Sequence, residues 1–451
     1  MAAVRTVVVV GGGTAGCTVA GLLSQNKNYS VVLLEAGPTI DDDQERDFFG
    51  VLKSQDASVT HRKVSLTQTN STDDYLQARG LGGGSAINAM VSVRGHEDDY
   101  NNWAQEFGLI EWSWSQVAPA FDALPLSLYE PKNNELGVVG EALLQAVPGT
   151  QRCALAWNKG RQSARIFLDL AHESGALDVR TGAVVSRVRI KDGKATGVEL
   201  SDGTVIAADD VVLCSGALAT PHILWASGYQ HSEIGRGLQD HPAVMFSTAL
   251  DKPATQGFVV TSHASIALGG VAEAGQITAY NHLGDPTRTL GGLGVALTHV
   301  WSRGHISFDG ASTHVQFNML SDPRDQRAMR ELVRAAVSYA STEVMSAIGG
   351  GWTCDENARP CSELLDLSDD ELDAWVSSHL GHQSHAVGTC RMGSAQDPHA
   401  VVSPHGQVHG VSSLWVADAS VFPRIPRANT NLPVTMVAAR IANFISESAR
   451  L

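Results

Sequence analysis

Four consecutive valines, Val7 to Val10, run directly into Gly11-Gly12-Gly13-Thr14-Ala15-Gly16, and this junction constrains the chain more than any other stretch. A β-branched run this short and apolar suits a strand buried on both faces. The glycines fit G-x-G-x-x-G. Gly11 allows the tight turn, Gly13 lets the backbone approach a pyrophosphate with no Cβ in the way, and Gly16 lets the next helix pack close to the sheet. Thr14 and Ala15 open that helix, whose unpaired N–H groups and partial positive charge suit phosphates. A second strand, Ser30 to Leu34, ends in Glu35-Ala36. The Glu35 carboxylate can accept hydrogen bonds from both hydroxyls of a ribose and would repel a 2′-phosphate. Strand, glycine turn, helix, strand and acid make a dinucleotide-binding βαβ unit, with NAD and FAD both open at this point.

A chain of 451 residues predicts two domains. The formal net charge of −15 and the lack of a basic run argue against a nucleic-acid surface. No apolar run approaches the roughly 20 residues of a membrane span. Six residues precede the first strand, too few for a signal peptide, so the expected location is cytoplasmic. The six cysteines are scattered. Cys354 and Cys361 are close enough to pair, but in a chain without a secretory signal free thiols are the expectation. No histidine has metal-ligand spacing with carboxylates or cysteines, so no metal is expected.

The acidic stretch Asp41 to Arg46 reads as a surface loop, and residues 51–75 alternate too weakly to assign. A second glycine cluster follows, from Gln77 through Arg79, Gly80, Leu81, Gly82, Gly83, Gly84, Ser85, Ala86, Ile87, Asn88 and Ala89 to Met90. It suits a loop that sets backbone N–H groups against a ligand. Trp112 and Trp114 read as packing residues, and 125–160 as a trimmed connecting region. The segment 184–207 is a three-stranded meander turning at Asp192-Gly193 and Asp202-Gly203, and it leads to a buried strand at Val211 to Cys214. A βαβ start, a meander and a return strand is the plan of a glutathione-reductase-type FAD domain, which favours FAD.

The predicted fold is therefore α/β, with an FAD-binding domain at 1–243, an α+β substrate domain at 244–394 and a return to the first domain at 395–451. The second domain is expected to be an antiparallel sheet (Ala264 to Leu268, Gly294 to Val300, Gly304 to Phe308, His314 to Met319) backed by helices, including Asp325 to Ala340. Ser368 and Glu371 form a capping box for a helix over Asp369 to Leu380, which delivers the chain to His382 and His385. A strand ending in Asp418 and a last helix opened by Pro433, capped by Asn429-Thr430-Asn431, complete the chain.

Along nearly its whole length the chain resembles the glucose–methanol–choline (GMC) oxidoreductases. The first signature is carried by Ala78 to Asn88 with Gly95 and Asn101, departing at Ser92. The second is carried by Gly216-Ala217, Thr220 to Leu224 and Ser227-Gly228, departing at Tyr229 and Gln230 before Leu238-Gln239-Asp240-His241-Pro242. Ser302-Arg303-Gly304, His385 to Gly393, and Val416 to Ser420 complete the match. Arg427 to Asn431 and the short chain also resemble the mycofactocin-associated branch.

This resemblance implies FAD and oxidation of a small-molecule primary or secondary alcohol to a carbonyl, with electrons passed to O₂ or another acceptor. His385 would take the hydroxyl proton while hydride goes to flavin N5, and Asn429 would orient the developing alkoxide. His382 is the rival base but lies outside the motif, and the remaining histidines are expected to be surface or packing residues. Glu35 would hold the adenosine ribose and the backbone of Val185 the adenine. Asn88, Ala89, Met90 and Val91 would line the flavin and pyrophosphate. Asp418-Ala419 would approach the ribityl phosphate, and the last helix, after Asn429 and Thr430, would stabilise the reduced ring. Some members tether FAD through a His in the first signature; Ile87 stands there, so non-covalent FAD is expected. The alternative is a hydroxynitrile lyase-type non-redox enzyme of the same fold.

Overall fold

The valine run sits where its composition demands, at the centre of a five-stranded sheet. A computed structural model describes residues 4–40, 47–54, 58–68, 72–171, 176–255, 257–310 and 312–448. The acidic stretch 41–46 lies outside the described residues. The sheet order is Leu414–Val416, Asp210–Leu213, Arg5–Val10, Tyr29–Leu34, Leu177–Arg180, every neighbouring pair parallel. Val7, Val8 and Val9 are fully buried, as a strand covered on both faces requires. The first helix, Thr14–Ser24, packs against the last, Asn431–Ser448, so the two ends of the chain close one layer over the sheet. The last helix starts at Asn431, two residues ahead of Pro433. The Asn431 side chain accepts a hydrogen bond from Thr14 Oγ1 (3.1 Å) instead of capping its own helix. The meander forms as read: Val185–Lys191, Lys194–Leu200 and Val205–Ala207 pair antiparallel.

The substrate side holds a seven-stranded sheet. Its path runs Gly349–Thr353, Pro242–Leu250, Leu290–Leu297, Val271–Tyr280, Val260–Leu268, Gln151–Arg152, with Gly381–His382 paired to Pro242–Leu250. The helix Pro323–Ala340 covers it, burying Met329, Leu332, Val333 and Ala336. Five of these strands, Gly349–Thr353, Pro242–Leu250, Val271–Tyr280, Gln151–Arg152 and Gly381–His382, have no counterpart among the sequence-based expectations. Two expected members leave the sheet: Gly304–Asp309 and Ser312–Gln316 join the hairpin Val59–Ser65 and Thr72–Ala78 in a separate five-stranded sheet. Strands from before residue 243 thus enter both sheets: Gln151–Arg152 the seven-stranded one, and Val59–Ser65, Thr72–Ala78 and Arg236–Leu238 the five-stranded one. The helix Asp369–Ser378 carries the predicted Ser368/Glu371 capping box, with both reciprocal bonds present. All six cysteines are buried, and no disulfide joins them among the described residues.

Candidate active site

A cavity of about 1160 Å³ opens over the carboxyl ends of the parallel strands, where Val10, Leu34, Cys214 and Asp418 line it. This is where open α/β sheets bind ligands. Its wall contains Gly11, Gly13, Thr14, Ala15, Glu35, Ala36, Arg79, Gly83, Asn88, Ala89, Val91, Val185, Asp418, Ala419, Asn429 and Thr430. Residues far apart in sequence are thus brought to one cleft. Three expected contacts stand behind the wall instead. A Cβ on Gly16 would lie 1.7 Å from Gly11 O, so that glycine serves packing inside its own turn. Ser85 is buried, donating to Gly82 O (2.6 Å) and accepting from Ala164 N (2.9 Å). Met90, at φ 64°, packs into an apolar cluster with Leu155 and Trp157.

The two glycine clusters interlock. Gly82 N donates to Gly12 O at 2.8 Å, and a Cβ on Gly83 would stand 2.5 Å from Gly13 Cα. Glu35 is fixed within this turn: Oε2 accepts from Gly12 N (2.6 Å) and Oε1 from Gly37 N (2.8 Å). Asn88 is held by Arg161, whose guanidinium donates to its carbonyl (2.5 Å) and to Oδ1 (3.2 Å). Asp418 is buried and accepts from Gly216 N (2.8 Å), Thr220 Oγ1 (2.6 Å) and Ser420 N (2.8 Å). Burial pushes its carboxyl up, and these hydrogen bonds oppose the shift. A glycine cradle, an immobilised acid, and first and last helices that both begin at the cavity wall fit an extended dinucleotide such as FAD.

At the far end of the cleft Asn429 Nδ2 lies 3.4 Å from His385 Nε2, and Asn429 Oδ1 is buried without a hydrogen-bond partner among the described residues. Behind His385 stands a histidine expected from the sequence to be a surface or packing residue. His241, 1% exposed, places Nδ1 2.9 Å from His385 Nδ1, and its Nε2 lies 3.2 Å from Pro426 O. Its neighbour Asp240, equally buried, accepts from His385 N (2.9 Å), His241 N (2.7 Å) and Tyr75 Oη (2.8 Å). Tyr75 Oη in turn accepts from Ala386 N (2.9 Å). One carboxylate therefore fixes both histidine backbones. Burial drives His241 down to about 4 and His385 well below the ordinary imidazole range, with the neighbouring histidines adding to the second shift. The rival His382 stacks on Tyr75 at 4.4 Å, faces Asp73 at 3.7 Å and does not line the cavity. The available clue to His241 was its place in Leu238 to Pro242.

The dinucleotide cleft thus ends in a half-buried histidine beside an asparagine. The chain belongs to the GMC oxidoreductase family: the N-terminal family profile, described as GMC oxidoreductase, matches residues 5–152 and 133–243, and the C-terminal one 301–438. It is 26% identical to an oxygen-dependent choline dehydrogenase of Photobacterium profundum, covering 97% of this chain and 92% of that one. It is 29% identical to a 5-(hydroxymethyl)furfural oxidase of a Methylovorus species, covering 98% of each. Both alignments are longer than the chain itself, so stretches of the relatives have no counterpart here. The crystal structure of pyridoxine 4-oxidase from Mesorbium loti superposes with a TM-score of 0.88 at 22% identity, covering 98% of this chain and 99% of that one. The protein is an FAD enzyme acting on CH–OH donors. Among the described residues no helix is long and apolar enough to cross a membrane, and no cluster of three or more His, Cys, Asp or Glu could hold a metal.

Proposed function

We propose that the protein oxidises a primary or secondary alcohol to a carbonyl, with His385 as the base and Asn429 as the group that orients the hydroxyl. Bound FAD supplies the hydride acceptor. The observation that carries this reading is the hydrogen-bond chain that ends at His385 Nε2. Pro426 O can only accept, so His241 Nε2 carries a hydrogen. With His241 neutral, its Nδ1 is bare and accepts from His385 Nδ1–H. The lone pair of His385 is then on Nε2, facing Asn429 Nδ2–H. A substrate hydroxyl seated between them would donate its proton to Nε2 and accept from Asn429. Losing a hydride and a proton turns the carbinol into a carbonyl.

The same groups govern the proton's exit. Burial keeps the His385 imidazolium unfavourable, so the proton is released readily. It cannot pass through His241, whose second nitrogen already donates to a carbonyl, and so it leaves from Nε2 toward the cavity. Glu35 would hold the adenosine ribose, the Gly11–Ala15 turn the pyrophosphate, and Asp418-Ala419 the ribityl end. Ile87 lines the cavity where a tethering residue would stand, which supports non-covalent FAD. Residues 1–243 with 395–451 would form the FAD side and 244–394 the substrate side.

Anaerobic mixing with a panel of alcohols, following flavin absorbance, tests the reading. His385→Ala should slow bleaching by about 10²- to 10⁴-fold, the usual contribution of a general base. Full bleaching by that variant sinks the assignment. Re-admitting O₂ to the reduced wild type separates an oxidase from a dehydrogenase, and denaturing precipitation should leave the yellow flavin in the supernatant.

A further inference from the structure

The cavity wall carries a cation with nothing to neutralise it. Arg62 lies on the inner face of the hairpin Val59–Ser65 and Thr72–Ala78, half-buried, and has no hydrogen-bond or ion-pair partner among the described residues. Burial pushes its guanidinium below the usual arginine range, with no carboxylate to offset the cost. His222 is close enough to feel that charge, which together with burial lowers its own pKa. His61 and His314 line the same wall. Lys63, next in sequence, is already paired with Asp74 at 2.9 Å. Glu35 and Asp418 are the only acids among the lining residues, and both are committed to backbone N–H groups. A chain of net charge −15 has thus kept one face of its cavity basic. A desolvated guanidinium without a partner is costly unless a ligand supplies one.

Register places this charge at the reacting end. Arg62 pairs with Tyr75 across the hairpin, so their side chains leave the same face. Tyr75 reaches Asp240 and Ala386 N, beside His385. The strand then runs from Tyr75 to Ala78, about 10 Å at the usual rise, before the glycine turn begins. That separation exceeds the span of an arginine side chain and takes Arg62 away from the turn expected to hold the pyrophosphate. We propose that Arg62, flanked by His222, is a subsite for an anionic group on the substrate. The preferred alcohols would then carry a group such as a carboxylate at a distance from the carbinol. The inference rests on the alcohol-oxidising reading of the cavity and specifies its substrate class. An alcohol bearing a quaternary ammonium would meet the same charge as repulsion.

The test uses the FAD-loaded protein without O₂, titrated with 4-(hydroxymethyl)benzoate and with benzyl alcohol, which share a carbinol and differ in charge. Flavin absorbance reports binding as a spectral shift and reaction as bleaching. Wild type should bind the carboxylate probe about tenfold or more tightly, the ratio that 1.4 kcal/mol supplies. Arg62→Leu should bring the two constants together and Arg62→Lys should retain most of the difference, with FAD content and flavin midpoint potential unchanged in both. Equal constants in wild type, no response to the carboxylate, or a preference that survives Arg62→Leu would each overturn the proposal. So would an Arg62→Leu protein that sheds FAD, which would assign the guanidinium to the cofactor phosphates, or one with a shifted potential, which would assign it to the flavin ring. His385→Ala keeps the two readings apart: it should stop bleaching yet retain the carboxylate preference in binding.

Discussion

His241 shows how much of this site depends on one buried nitrogen. In the proposed function it takes no proton from substrate; it would accept from His385 Nδ1–H and so keep the lone pair on Nε2. Replacing it with Leu removes the acceptor, and flavin reduction should slow at least about tenfold, with little change in substrate affinity. His241→Asn, whose carbonyl can still accept, should recover much of that rate. Equal losses in both variants would mean that His241 only packs. Acid stability follows from the same burial. His241 titrates at about 4 in the fold against 6.5 ordinarily, so between those values the unfolded chain binds more protons. Stability should therefore fall as pH drops through that window, by about 2 kcal/mol at pH 5 from this residue alone. His385 and His299 are lowered as well and add slope of the same sign. Urea midpoints at pH 7 and pH 5 should differ less in His241→Asn than in wild type. The acid limb of flavin reduction should likewise lie below 6.5, because His385 stays neutral there. His241 escaped sequence reading because its partner is 144 positions away. His385 was named from its local motif, and it lines the cavity.

At the scale of elements, the two glycine turns act as one part. Gly83 adopts φ +54°, and a Cβ there would press against Gly13 Cα at 2.5 Å, whereas Gly84 has open space within 4 Å. Gly83→Ala should therefore lower stability by about 1–3 kcal/mol and loosen FAD. Gly84→Ala, at the first position of a short helix, should leave both nearly unchanged. Melting temperature and retained flavin after gel filtration check the pair. Elements with near partners in sequence were legible: the βαβ start, the meander with its Gly turns, and the capped helix after Ser368. The hairpin over 59–78 was not. Its strands fully bury only Val64 and Tyr75, so their alternation is weak, and the outer partner of Val59–Ser65 is Gln316, some 250 positions later. Pro242–Leu250 was hidden for the same reason, its partners being Leu290–Leu297 and Gly349–Thr353.

At the scale of the whole molecule, the cofactor cleft ties the chain's ends together. Thr14 opens the first helix and Asn431 the last; they are hydrogen-bonded, and both line the cavity. Between them, the helix Glu97–Glu106 anchors the loop that presents Asn429, through a buried ion pair of Arg427 with Asp99 at 2.7 Å. Filling the cleft should therefore stabilise distant segments as one unit. A ligand that binds only the folded state adds RT ln(1 + [L]/Kd), about 2.7 kcal/mol when FAD is at a hundred times its Kd. Hydrogen exchange resolves where that gain appears. On adding FAD to stripped protein, amides in Thr14–Ser24 and Asn431–Ser448 should gain protection together and by similar factors, because neither helix can open without disturbing the other's start. The helix Pro323–Ala340, which packs on the substrate-side sheet away from the glycine turns, should gain less. Uniform gains throughout would indicate one global unfolding unit, and gains confined to Thr14–Ser24 would show that the last helix does not share the cofactor's load.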